Sequence, residues 1–234
     1  MADFYDPGDL DALARDCLVR AGVPADVADI VARDVALNEL DGASEGGFLG
    51  LLRDIRLLRY GRLRPQATPR IEVAAPSVLR VDAEHGFAAA ALAQAVPQLI
   101  DLARGQGMAV IHLRNASEPG PMAHAMASLA EANMAGVALR AEGAAHVIRP
   151  RADRAAILGP TDAEDALASL LQLAPPAADT PLGGPVAYSG WIAAMDPNVT
   201  DVGNLLAGMP PAPPVAARQP VALPSDLLAQ IVNA

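Results

Sequence analysis

The first third of the chain repeats its apolar residues at helical spacing. Leu10, Leu13, Ala14, Cys17, Leu18 and Ala21 recur on one face, and Gly22 with Pro24 ends the run. Val27, Ile30, Val31 and Val35 then form a second stripe just after Pro24, whose fixed φ suits a first helical turn. A third helix is predicted from Leu49 to Tyr60. There Leu51, Leu52, Ile55, Leu57 and Leu58 share a broad side, arginines take the other, and Gly61 closes the pattern.

From Val78 the period changes. Val78 to Asp82 alternates like a strand, and Gly86 leads into a long Ala-rich helix from about Ala88 to Arg104, closed by Gly105 and Gly107. Met108 to Leu113 reads as a buried strand, Pro121 to Asn133 as a helix, and Gly136 to Arg140 as another strand. Alternating strands and helices predict an α/β layer, with right-handed crossovers where the strands run parallel. Beyond Arg149 a helix is predicted from Ala163 to Leu173. Pro175, Pro176, Pro181, Pro185, Pro197 and the prolines of 210–214 interrupt the chain beyond it, and Ser225 to Ile231 suits a last capped helix. The pattern divides the chain into an N-terminal helical region at 1–75, an α/β core at 76–162, and a shortened core remnant with a Pro-rich tail at 163–234.

Composition narrows the chemistry. The 234 residues are 52% hydrophobic, enough for a full core, and the net charge is -10. Such a charge repels phosphate backbones, so nucleic acid is not expected as a partner, despite the local strip Arg53, Arg56, Arg59, Arg62 and Arg64. All 17 basic side chains are arginine, which closes Schiff-base chemistry and favours clamping of carboxylates over proton shuttling. Cys17 is the single cysteine, which excludes an internal disulfide and fits a reducing compartment. No apolar run reaches membrane-spanning length, and the acidic start lacks a secretory pattern, so a cytoplasmic protein is expected.

Several segments, in order, resemble the type 2 malate/L-lactate dehydrogenases, a non-Rossmann family. They are Ala21-Gly22-Val23, Asp41 to Gly46, Tyr60 to Pro65, Val81 to Gly86, Gly107 to Ile111 and Arg114 to Gly120. The resemblance implies that family's α/β fold with N-terminal helices and a homodimer. Where the family carries Ser-His-Gly this chain has Ser44-Glu45-Gly46, and where it carries Asn-His-x-Gly this chain has Ser117-Glu118-Pro119-Gly120. The family arginine four positions after its first histidine falls at Leu49, with Arg53 a turn further on. A Gly-Thr-Asn-Pro segment appears as Gly159-Pro160-Thr161-Asp162. A Gly-Gly-x-Lys-Gly segment appears as Gly183 to Tyr188, with Val186 near the lysine position. Little chain separates these two landmarks, so the nucleotide-binding region reads as truncated.

An imidazole exchanges protons near neutral pH, whereas an ordinary carboxylate is already ionised and only accepts one. With both histidines replaced, the expected function is a repurposed non-redox acid/base enzyme or pseudoenzyme with no cofactor. The alternatives are an active NAD- or NADP-dependent reductase of a 2-oxo acid or cyclic imino acid, and a scaffold subunit of a partner enzyme. The candidate catalytic residues are Glu45, Glu118 and His124. Ser44, Arg53, Arg114 and Tyr188 are expected around a small carboxylate ligand. His85, His112, His124 and His146 show no metal-binding spacing, so no metal is expected, and His112 reads as a core residue.

Overall fold

The computed structural model describes residues 2–120, 122–140, 145–148, 156–157, 186, 188–200 and 220–233. The expected helix at 163–173, the segments at 159–162 and 183–185, the proline run at 210–214 and the His146 side chain lie outside the described residues. The predicted N-terminal helices form: α1 is Pro7–Arg20, α2 is Ala25–Leu40 and α3 is Phe48–Arg59. Pro7 stands in the first turn of α1, where a missing N–H leaves no bond unmade.

The α/β layer is a seven-stranded sheet. Its strands are β2 (Arg70–Ala75), β3 (Val78–Asp82), β4 (Met108–Ala116), β5 (Ala135–Arg140), β6 (Ala145–Ile148), β7 (Ala156–Ile157) and β8 (Tyr188–Met195), in the order β2-β3-β4-β8-β5-β6-β7. Helix α4 (Ala88–Gln106) carries the chain from β3 to its parallel neighbour β4, and α5 (Ala123–Glu131) leads from β4 to β5. The sheet departs from the expected parallel layer at its centre. Strand β8 lies between β4 and β5 and is antiparallel to both, so those two keep the same direction without touching. The βαβ pattern set the directions of β3, β4 and β5; it contained nothing that placed a strand from far downstream between them.

Two apolar cores result. In the first, Leu79, Val81, Ile111, Leu113 and Ile192 of the sheet meet Leu92, Leu99 and Met126 of α4 and α5, all buried. The many alanines of α4 allow close approach to the strands. The second core joins Leu10, Leu18, Val31, Phe48, Leu51 and Ile55 of the N-terminal helices to Phe87 and Ala90 at the start of α4. Burial of each large side chain contributes about 1.5–3 kcal/mol. The C-terminal segment docks here too. Strand β1 (Ala2–Tyr5) pairs antiparallel with β9 (Val221–Pro224), and α6 (Ser225–Asn233) comes next, with Leu223 and Ile231 buried among the N-terminal helices. Among the described residues no helix is long and apolar enough to cross a membrane.

Candidate active site

The site forms where α2, α3 and the segment after β4 meet. Helix α2 turns polar residues as well as valines inward: Asp34, Asn38 and Glu39 are all buried. Each makes side-chain hydrogen bonds, although Asn38 Oδ1 is buried without a partner among the described residues. Glu39 reaches to the start of α3, where its Oε2 accepts the Phe48 N–H at 2.8 Å and its Oε1 accepts the Ser44 hydroxyl at 3.1 Å. It thereby caps a helix whose own N-cap, Gly47, has no side chain. Asn38 donates its amide to Asp34 Oδ2 at 3.2 Å and to the Gly46 carbonyl at 3.3 Å. Asp34 Oδ1 accepts the His124 backbone N–H at 2.9 Å, which fixes the start of α5.

The two family-like segments touch through glycine. A Cβ on Gly120 would lie 2.3 Å from the Gly46 Cα and 3.2 Å from the Asn38 amide nitrogen, so no side chain fits there. Ser117, at the end of the same turn, accepts the Ala88 N–H through its hydroxyl at 3.2 Å and so caps α4. Arg53 then crosses from α3 to this turn. Its Nη1 donates to Glu118 Oε2 at 2.8 Å, its Nη2 to the Glu118 carbonyl at 2.6 Å, and its Nε to Asp54 Oδ1 at 3.2 Å.

Two cavities adjoin across this bridge. The outer, about 510 Å³, is open to solvent and lined by Glu45, Arg53, Arg56, Tyr60, Arg62 and Glu118 among others. The inner, about 20 Å³, is walled by Asp34, Arg53, Asp54, Ser117 and Glu118. Burial pushes the Asp54 carboxyl up from its ordinary 3.8 to about 6. Arg53 pulls the other way, while Glu118 and Asp34 add to the rise. Asp34 is likewise raised, chiefly by burial, against the pull of its His124 and Asn38 partners. A carboxyl titrating near 6 carries a proton in a useful fraction of molecules at neutral pH, which an ordinary carboxylate does not.

Glu45, Glu118 and Arg53 thus line one cavity. The expected mutual repulsion of Glu45 and Glu118 takes a different form, because Glu118 is already paired with a guanidinium. His124 stands behind the site and reaches it through Asp34. Ser44, Arg114 and Tyr188 line neither cavity. Ser44 is tied to Glu39, Arg114 pairs with Asp82 at 3.1 Å, and Tyr188 lies half-buried on β8 opposite Ala116. His112 is half-buried and stacks on Trp191, with ring centroids 4.1 Å apart. Sequence reasoning missed Asp34, Asn38, Glu39 and Asp54. Their signal was polar residues set into apolar helical stripes, beside Val31, Val35 and Ile55. Among the described residues no group of side chains is arranged to hold a metal ion.

Comparison with known proteins gives this geometry a family. The sequence profile described as Malate/L-lactate dehydrogenase matches residues 5–160. Delta(1)-pyrroline-2-carboxylate reductase of Ancylobacter novellus is 37% identical over 103 residues, 44% of this chain and 30% of that protein. (2R)-3-sulfolactate dehydrogenase (NADP(+)) of Chromohalobacter salexigens is 38% identical over 101 residues, 43% of this chain and 30% of that protein. The matched stretch therefore spans about a third of the curated relatives' length. Among solved structures, a malate dehydrogenase from Pyrococcus horikoshii OT3 superposes with a TM-score of 0.72 at 12% identity, over 99% of this chain and 89% of that one. A dehydrogenase from Sinorhizobium meliloti gives 0.68 at 20% identity, over 100% and 94%. These likenesses show the fold.

The relatives overturn the expectation of a non-redox enzyme or pseudoenzyme, and that of no cofactor. They are named reductases and dehydrogenases, one of them with NADP(+). The same pocket shows that losing both imidazoles does not leave it with ordinary carboxylates alone, because burial raises the Asp54 carboxyl.

Proposed function

The chain belongs to the malate/L-lactate dehydrogenase family, and on that premise we propose that it is an active NAD(P)H-dependent reductase of a small carboxylate. The substrate carries a C=N or C=O bond next to its carboxylate, as in a cyclic imino acid or a 2-oxo acid. The observation that carries this reading is the arginine-lined outer cavity set directly against a buried carboxyl that titrates near neutral pH.

The residues fit the charged parts of such a pair of ligands. A space of about 510 Å³ is of ordinary size for a small-molecule site. Arg56 and Arg62 on its wall suit a phosphate or carboxylate, because a guanidinium is permanently charged and offers planar donors. Arg53 is less available as a clamp, since Glu118 and Asp54 already occupy it. When bound, a reduced nicotinamide supplies hydride to the substrate carbon. The chain's part is to orient the carboxylate by Arg56 and Arg62, to offer apolar wall at Leu49, Leu52 and Pro119, and to hold a proton beside the cavity at Asp54. Glu45 lies on the same wall. We place this enzyme in the cytoplasm as a homodimer; cell fractionation and light scattering check both.

The test is loss of NADPH or NADH absorbance by the purified chain, offered Δ1-pyrroline-2-carboxylate, Δ1-piperideine-2-carboxylate and a panel of 2-oxo acids. Turnover with one of these classes is expected. No turnover with any of them, together with no thermal stabilisation by millimolar cofactor, would sink the reading.

A further inference from the structure

Reducing a C=N or C=O bond consumes one proton per turnover, and a donor group positioned beside the reacting atom speeds its delivery. The inner cavity is where the structure provides for it. Its roughly 20 Å³ has room for one water, and its polar walls offer that water partners. Gly50, Arg53, Glu118 and Pro119 line both cavities, so the inner one abuts the outer along a single shared wall. One guanidinium holds a carboxyl on each side of that wall: Asp54 at 3.2 Å inside and Glu118 at 2.8 Å at the boundary. Glu118 is about a third exposed, whereas the Asp54 side chain is only 11% exposed.

We propose that Asp54 is the proton store of this site, passing its carboxyl proton through a water in the inner cavity to Glu118, which gives it to the substrate. The last transfer rests on the reductase reading above. Asp54 acts through Glu118 and touches no substrate. In the step, the Asp54 O–H bond breaks as an O–H bond forms to the water. The water's own proton moves to the Glu118 carboxylate. The Glu118 proton moves to the substrate nitrogen or oxygen, to which the C=N or C=O electron pair retreats as the carbon gains hydride from a reduced nicotinamide. Asp54, left as a carboxylate, regains a proton from solvent by the reverse path.

The groups facing Asp54 support a store rather than a permanent charge. Arg53 on its own helix favours ionisation; burial, Glu118 after β4 and Asp34 on α2 oppose it, and their balance sets the value of about 6. Asp34 is the fixed member of the cluster, held by the His124 N–H of α5 and the Asn38 amide of α2. Arg53 engages Asp54 through Oδ1, and Asp54 is among the residues that line the inner cavity.

Two measurements test the proposal. Infrared titration of the full chain should show a protonated carboxyl stretch near neutral pH that Asp54→Asn abolishes and whose midpoint Glu118→Gln lowers, because that change removes a like charge. Kinetically, Asp54→Asn should cut kcat on the order of 100-fold with KM little changed, and erase the pH limb near the Asp54 midpoint. Asp54→Glu should restore part of that limb. A wild-type profile unchanged in Asp54→Asn, or an infrared midpoint indifferent to Glu118→Gln, overturns the proton store. Absence of turnover in the wild type sinks the reductase reading instead, and the infrared titration then decides the store by itself.

Discussion

Among single residues, Asp54 sets a trade between stability and chemistry. Its folded-state value of about 6 exceeds the ordinary 3.8, so the folded chain binds this proton more tightly than the unfolded chain. The contribution of Asp54 to stability is therefore greatest below about pH 4 and declines as pH rises through about 6, by roughly 3 kcal/mol in total. Asp54→Asn removes that slope. The variant should gain on the wild type between about pH 4 and pH 7, by up to that amount, in urea denaturation at both pH values. An equal difference at both would mean the carboxyl is not buried as described. Gly120 makes the complementary case, where shape alone decides. Gly120→Ala sets a methyl against the Gly46 backbone and should cost about 1–3 kcal/mol, read as a lower Tm.

Among the elements, the site depends on α2 reaching outside itself. Phe48 begins α3 after a glycine, and its N–H is satisfied by Glu39 from the neighbouring helix. The same carboxylate steadies the 43–47 turn through Ser44. A Cβ at Gly47 would lie 2.0 Å from Glu39 Oε2, so the glycine is what admits this cap. Glu39→Ala should cost about 1–2 kcal/mol and speed amide exchange at Phe48 and the first turn of α3. Unchanged protection at Phe48 would show that the cap is not what holds that end. Because α3 carries both Arg53 and Asp54, loosening its start should also blunt the proton supply.

Across the molecule as a whole, chain ends distant in sequence close the helical half. Strand β9 and helix α6 lie against β1 and α3, with Arg56 reaching Gln230 at 3.2 Å and Ile231 buried. Deleting 220–233 strips Leu223 and Ile231 from that core and leaves β1 without its partner. We expect a loss of roughly 3–5 kcal/mol in denaturant unfolding, with the sheet half less affected than α1–α3 in hydrogen exchange. Uniform loss across both cores would instead mean that they unfold as one unit. The cavity depends on this closure too, since α6 holds Arg56 on its wall, as it holds Arg59.

Local pattern was enough wherever a short period carries the structure. The stripes of Leu10 to Ala21 and Leu51 to Leu58 are periodic enough to specify helices, and the alternation at Val78 to Asp82 specifies a strand with its observed ends. Ordered segments such as Asp41 to Gly46 and Arg114 to Gly120 pointed to the family, and tertiary structure set Glu45, Arg53 and Glu118 around one cavity. Strand β2 and the insertion of β8 between β4 and β5 were settled only by tertiary packing, because pairing across long separations leaves no periodic trace. So was the character of Asp54. Beside Ile55 it reads in sequence as an ordinary acid, and only burial against Arg53, Glu118 and Asp34 lifts its affinity for a proton towards neutral pH. Ionisation depends on the surrounding medium and charges, and these exist only once α2, α3 and the turn after β4 have come together.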